Sequence, residues 1–337
     1  MKKILFPALL ALCTLMTACT TTEKVESYNI ATGAHQCFAA VGDNLISATA
    51  SGVRVYGING EILLDKTANL SYPEICENAD SAAVYDVGGV LVVFSDGSKI
   101  YADDSIISAD LNSSGYLALC CEKDGYKGAV TVYSPEKAKL FEWCSADNWV
   151  LGASMSDDGE HLAVLLSGEN GSSVRFFAIS SEDELGCFEG TQSVINSLCR
   201  VEEVLCCVAD DGLYYLSDEG KLTAEYSFEG QKLGMLAVCE NELVIELRNH
   251  SFGGAGTLIA VNSQGKQTAK TEPNAELEWI DYADGTILAL TQNKTLVYDT
   301  ELKLQSETAQ SGTEKAFLRT DDMILISGGT VNVTDIK

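Results

Sequence analysis

The chain has 337 residues, of which 49 are acidic and 22 basic, giving a formal net charge of −27. That balance excludes nucleic-acid binding, which requires a basic face to neutralise phosphates, and it disfavours adsorption to anionic lipid headgroups. With three scattered histidines, His35, His161 and His250, and no CxxC spacing among twelve cysteines, no metal centre is expected.

The chain opens with Met1-Lys2-Lys3 and then runs through apolar and small residues with no acid before Glu23, the pattern of an export signal. The run is short against the ~20 apolar residues that a spanning helix needs. It ends in Leu15-Met16-Thr17-Ala18-Cys19, which resembles the lipobox of bacterial lipoproteins, with Met16 where leucine is usual. Residues 1–18 are therefore expected to be a signal peptide, Cys19 the lipidated residue, and residues 19–25 a polar tether. The expected location is the outside of the cytoplasmic membrane, held there by the N-terminal lipid or by an uncleaved anchor.

From residue 26 onward one motif returns eight times: a short apolar strand, a tight turn and a second strand. The first strands end at or near Tyr56, Phe94, Tyr133, Phe177, Leu216, Val261, Tyr298 and Val333. These anchors are 38, 39, 44, 39, 45, 37 and 35 residues apart, the period of a β-propeller blade. Each period divides into four strands, A to D from the centre outward. In the third unit these read SIISADL, GYLALCC, GAVTVY and KAKLFEW, and in the fourth WVLGASM, HLAVLLS, SVRFFAI and ELGCF. Residues tolerant of positive φ mark the A–B turns, as at Asn112 to Gly115, Asp157 to Gly159 and Asp284-Gly285. They also mark the C–D turns at Asn59-Gly60, Asp96-Gly97 and Glu219-Gly220. The recurrence of these acidic clusters at equivalent turns identifies them as turn formers rather than calcium ligands.

The last unit stops one strand short, and Glu26 to Ile30 is placed to supply the missing outer strand. Joining the two chain ends in one blade removes the exposed strand edges. The expected fold is an all-β, eight-bladed propeller of four-stranded antiparallel blades over residues 26–337, closed by an N-terminal strand, with seven blades as the alternative.

The B–C and D–A connections emerge on one face, and several look longer than a hairpin requires: Glu122 to Gly128, Cys144 to Trp149, Ser167 to Ser173 and Arg248 to Gly256. Function on a rigid scaffold concentrates in such loops, and Tyr126, Trp149, Asn170, Arg248, His250 and Phe252 are the candidate binding residues. Tryptophans at strand ends also pack between blades, which applies to Trp143, Trp149 and Trp279. The adjacent cysteines Cys120-Cys121 and Cys206-Cys207 lie in apolar strand-like runs, where cysteine acts as a small hydrophobe. No GxSxG elbow, HExxH, Walker loop or dinucleotide-binding glycine motif occurs, so no catalytic residue and no cofactor are assigned.

Along nearly all of the exported part, the segment GYLALCCEKDGYKGAVTVYSPEKAKLFEW followed by WVLGASMSDDGEHLAVLL resembles an uncharacterised family of exported bacterial propellers. That family is domain of unknown function 5711, related to PQQ-like and WD40-like propellers. The resemblance implies a propeller anchored outside the membrane and implies no reaction. A quinoprotein dehydrogenase shares the eight-bladed form and uses an adjacent-cysteine disulfide, but the repeated tryptophan docking signature is missing here. The expected role is a non-enzymatic protein-interaction scaffold with a protein or peptide partner in the cell envelope. The alternative is a carbohydrate-binding or envelope-sensing module.

Overall fold

The computed structural model describes residues 26–190, 193–250 and 253–336. The expected signal, Cys19, the tether, Phe252 and Lys337 lie outside the described residues. The described residues form thirty-two strands in eight sheets of four, and no helix. Blades I to VII span residues 37–67, 73–101, 106–145, 149–189, 195–227, 232–271 and 277–309, each an antiparallel A-B-C-D meander. Blade VIII takes strands A to C from residues 315–335 and its outer strand from Ser27–Asn29, which pairs with residues 330–332. Glu26 accepts a further bond from the Val333 amide. The eight-bladed count and closure by the N-terminal strand are both as the repeat required.

Strands B and C of blades I to VII are buried along most of their length, and in blade III, at Leu117–Cys121 and Gly128–Tyr133, along all of it. The cause is two-sided packing: each of the eight apolar clusters sits between two consecutive blades. Successive side chains of one strand enter opposite clusters, so Leu117 and Leu119 pack toward blade II while Ala118 and Cys120 pack toward blade IV. Continuous apolar runs rather than alternation follow directly. The same rule divides Cys120 from Cys121, and Cys206 from Cys207, onto opposite faces of their blades.

The anchor residues mark a recurring turn. In six blades the C–D register slips by one residue at the anchor, as between Val55 and Tyr56, or between Tyr215 and Leu216. At the turns of blades I, II, V and VI the left-handed position is filled by Gly60, Gly97, Gly220 and Gly265, the geometry of a type I turn followed by a bulge. Blades III and VII place Lys137 (φ 68°) and Leu302 (φ 56°) there instead.

The seam between blades VIII and I has its own fastenings. Tyr28 of the closing strand lies against Gly60, where an added Cβ would sit 2.3 Å from the ring, and its ring centroid is 6.3 Å from that of Tyr56. The Tyr56 hydroxyl accepts the Ala31 amide at 3.0 Å. Arg319, in the A–B connection of blade VIII, reaches across the seam and donates to the carbonyls of Asp43 (3.4 Å) and Ile58 (3.1 Å) of blade I. Its Nε donates to Asp322 at 2.7 Å, and both side chains are almost fully buried.

Arg319→Ala is expected to cost about 3–5 kcal/mol, because it removes one partner of the buried Arg319–Asp322 pair together with the bonds to blade I. Gly285→Ala, at φ 75° in open space, is expected to cost about 1–2 kcal/mol from backbone strain alone. Gly60→Ala, at φ 80° and against Tyr28, should cost clearly more. Urea unfolding of the three variants checks the order; equal losses at both glycines would remove Tyr28 as a seam contact.

Candidate functional site

The B–C loop of blade III, Glu122 to Lys127, is held at both ends. The Glu122 amide donates to the Ser105 carbonyl at 2.8 Å, the Lys127 amide to the Ser145 carbonyl at 2.7 Å, and the Tyr126 amide to the Lys123 carbonyl at 3.0 Å. From within the loop, Lys123 bridges Asp104 (3.1 Å) and Glu142 (3.2 Å). Blade II is stitched to the start of blade III by two backbone bonds, Gly88 amide to Ile106 carbonyl and Ile106 amide to Gly89 carbonyl, at 2.8 and 2.7 Å. Loop chemistry is thereby mounted on fixed backbone.

These segments enclose a cleft of about 600 Å³ on the B–C/D–A face, between Val90 of blade II, the loop of blade III and Trp149 at the start of blade IV. A one-residue bulge in strand A of blade III, between Ile106 and Ser108, turns Ile107 into the cleft. The equivalent bulge in blade IV lies at Leu151. Tyr126 is 49% and Trp149 56% exposed, and Val90 on the cleft edge is also exposed. The Lys127 ammonium lies 4.5 Å from the centroid of the Trp149 ring.

Of the sequence candidates, Tyr126 and Trp149 meet in this cleft. Asn170 is exposed in the two-residue turn between Gly168 and Gly171 of blade IV. The expected loop Ser167 to Ser173 is mostly strand, because pairing continues out to Gly168 and Gly171. His250 is exposed in the blade VI connection. Arg248 is 13% exposed and clasps blades VI and VII: its Nε and Nη2 lie 2.8 and 2.7 Å from Oε2 of the fully buried Glu246, and Nη2 donates to the Leu277 carbonyl at 2.9 Å. Trp143 packs on Phe177 and Trp279 on Phe317, at centroid distances of 5.0 and 5.6 Å. Trp149 alone of the three tryptophans is turned to solvent.

The sequence did not single out the A–B end of the ring. There a cavity of about 640 Å³ is bounded by the A–B ends of blades I, II, VI, VII and VIII, including Glu77, Glu240, Asp281 and Asp284. Desolvation by the cavity wall, with the Asp281 charge a smaller cause, pushes Glu77 up to about 7, although its side chain is exposed at the cavity rim. Burial raises Asp281 to about 6 although it accepts the Leu318 amide at 2.7 Å. Desolvation likewise raises Asp110, half-buried and accepting the Met155 amide at 3.1 Å, to about 6. The available signal was Glu77, Asp110 and Asp281 standing within the inner-strand runs PEICE, IISADL and EWIDYA.

Among the described residues no group of three or more His, Cys, Asp or Glu is placed to hold a metal ion. The ten described cysteines are free thiols. Burial pushes Cys120 and Cys121 up to about 12, so both stay protonated and weakly nucleophilic near neutrality.

Eight closed four-stranded blades define a propeller of the WD40-like kind. Solved structures agree: the C-terminal WD40 domain of Sif2 superposes with a TM-score of 0.64 at 12% identity, covering 93% of this chain and 97% of that one. The Dos1 propeller gives 0.63 at 13% identity, covering 93% and 94%. The β-propeller domain of Myceliophteria thermophila Cps50 (Swd1) gives 0.51 at 11%, covering 92% and 98%. No protein among the curated sequences matches the chain. The chain belongs to the family of unknown function DUF5711, which it matches over residues 16–334.

A carboxyl raised in the folded state binds more protons folded than unfolded, so its stabilising contribution is present below its unfolded value near 4 and is lost as pH rises through 6 to 7. Glu77→Gln should leave the melting temperature at pH 4 unchanged and raise it by about 2 °C at pH 8. Thermal unfolding at the two pH values checks this, and a variant less stable at pH 8 would contradict the assigned direction.

Proposed function

We propose that this propeller is a non-enzymatic extracytoplasmic scaffold, tethered through a lipid on Cys19, that engages a protein partner in the cell envelope through its B–C/D–A face. The observation that carries the reading is the cleft at blades II to IV. Its loop is locked by main-chain bonds at both ends and by the Lys123 ion pairs, while Tyr126 and Trp149 remain exposed. Binding energy at protein interfaces concentrates in aromatic anchors, and anchors already held in place lose little entropy on docking. The turn-forming acids and amides have structural duties: Asp96 accepts the Ser98 amide, Asp158 the Glu160 amide, and Asn112 the Tyr116 amide. The likeness to WD40 propellers supports an interaction platform at the level of fold.

Two measurements test this reading. In cells fed an alkyne-labelled fatty acid, the protein should carry the label and fractionate with membranes, and Cys19→Ala should lose both properties; a labelled Cys19→Ala would remove the lipid anchor. Affinity capture from solubilised envelope should yield a partner that is lost with Tyr126→Ala/Trp149→Ala and kept with Asp284→Ala on the opposite face. Glycan-array binding with the same dependence would make the protein a carbohydrate-binding module instead.

A further inference from the structure

We infer that the blade III–IV cleft receives an arginine side chain from an extended segment of the partner, and that Lys127 holds this position in the free protein. The inference rests on the scaffold reading and adds the chemistry of recognition. Lys127 has its ammonium 4.5 Å from the Trp149 centroid, and among the described residues it makes no ion pair although four carboxylates line the same cleft. Two of these are already engaged: Asp104 pairs with Lys123, and Asp103 with Lys139 at 3.4 Å. Glu122 and Asp124 have no ion-pair partner among the described residues and stand at the cleft edge.

The cleft therefore offers an aromatic face suited to a cation together with uncommitted carboxylates. A side chain from the loop occupies that face through a single weak contact at an exposed site. A guanidinium suits the space better than the resident ammonium, because it can stack flat on the indole and donate in a fork to a carboxylate at the same time. The fixed loop means that only the flexible Lys127 side chain needs to leave. The net charge of −27 draws any cationic segment toward the surface, so a test must separate this cleft from that general attraction.

The probe is a fluorescein-labelled peptide, Gly-Gly-Arg-Gly-Arg-Gly-Gly, with a twin in which citrulline replaces each arginine, both titrated at 150 mM salt and read by anisotropy. The arginine peptide should bind at least tenfold more tightly than the citrulline twin. Trp149→Ala, a change at an exposed side chain, should weaken it at least tenfold, and Lys127→Ser should tighten it several-fold by removing the resident cation. Equal binding of the two peptides, or binding indifferent to Trp149→Ala, would overturn the inference, the latter by locating the attraction in the general acidic surface. Weaker binding to Lys127→Ser would also overturn it, because Lys127 would then be a contact rather than an occupant. If neither peptide binds while an envelope partner is still captured through Tyr126 and Trp149, arginine recognition falls and the scaffold reading stands.

Discussion

The structure depends on closure of the ring. Each blade buries both faces against its neighbours, so no blade has a core of its own, and the eight apolar clusters are eight interfaces. An open ring would expose two such faces and an unpaired strand edge at once. The seam is therefore where the most specific interactions gather: Ser27–Asn29 in the outer sheet position, Tyr28 over Gly60, the Tyr56 hydroxyl on the Ala31 amide, and Arg319 reaching two carbonyls of blade I. Arg319 is nearly fully buried, so its desolvation is offset only while Asp322 and those carbonyls stay in place.

Closure also explains the contrast between the two ends of the central channel. At the A–B end, strand ends from five blades bring acids into one cavity, and proximity with desolvation raises Glu77 and Asp281. On the B–C/D–A face, bulges in strand A of blades III and IV leave Ile107 partly buried along the cleft and Leu151 exposed near Trp149. The A–B end gathers carboxyls raised by desolvation, and the B–C/D–A face sets exposed aromatic side chains beside carboxylates on backbone that the neighbouring blades hold still. A docking partner gains most from the second.

The fold was legible because the repeat is a physical unit: an apolar C strand, an anchor and a left-handed turn residue recur together, since every blade solves the same packing problem. The missing outer strand of the last unit was legible for the same reason. The site was less so. Trp143, Trp149 and Trp279 all stand in or at the ends of outer or inner strands, and only the three-dimensional position of Phe177 and Phe317 decides that two of them are covered. Arg248 read as a loop residue because it ends its strand, and only the structure shows that Glu246, two positions before it, is fully buried and paired with it. Ser167 to Ser173 read as a loop because serine and glycine favour turns locally, whereas the ladder extends through them. Glu77 and Asp281 are far apart in sequence and meet only across the channel.

The central claim is that the B–C/D–A mouth over blades II to IV is the working surface of a closed, rigid ring. Site-specific photocrosslinking in living cells tests it most directly, with the photoreactive residue placed at Tyr126 on that mouth and, separately, at Asp284 on the other. The account requires a discrete protein adduct from position 126 and none from position 284. An adduct from position 284 alone would contradict it and move the working surface to the acidic end of the channel.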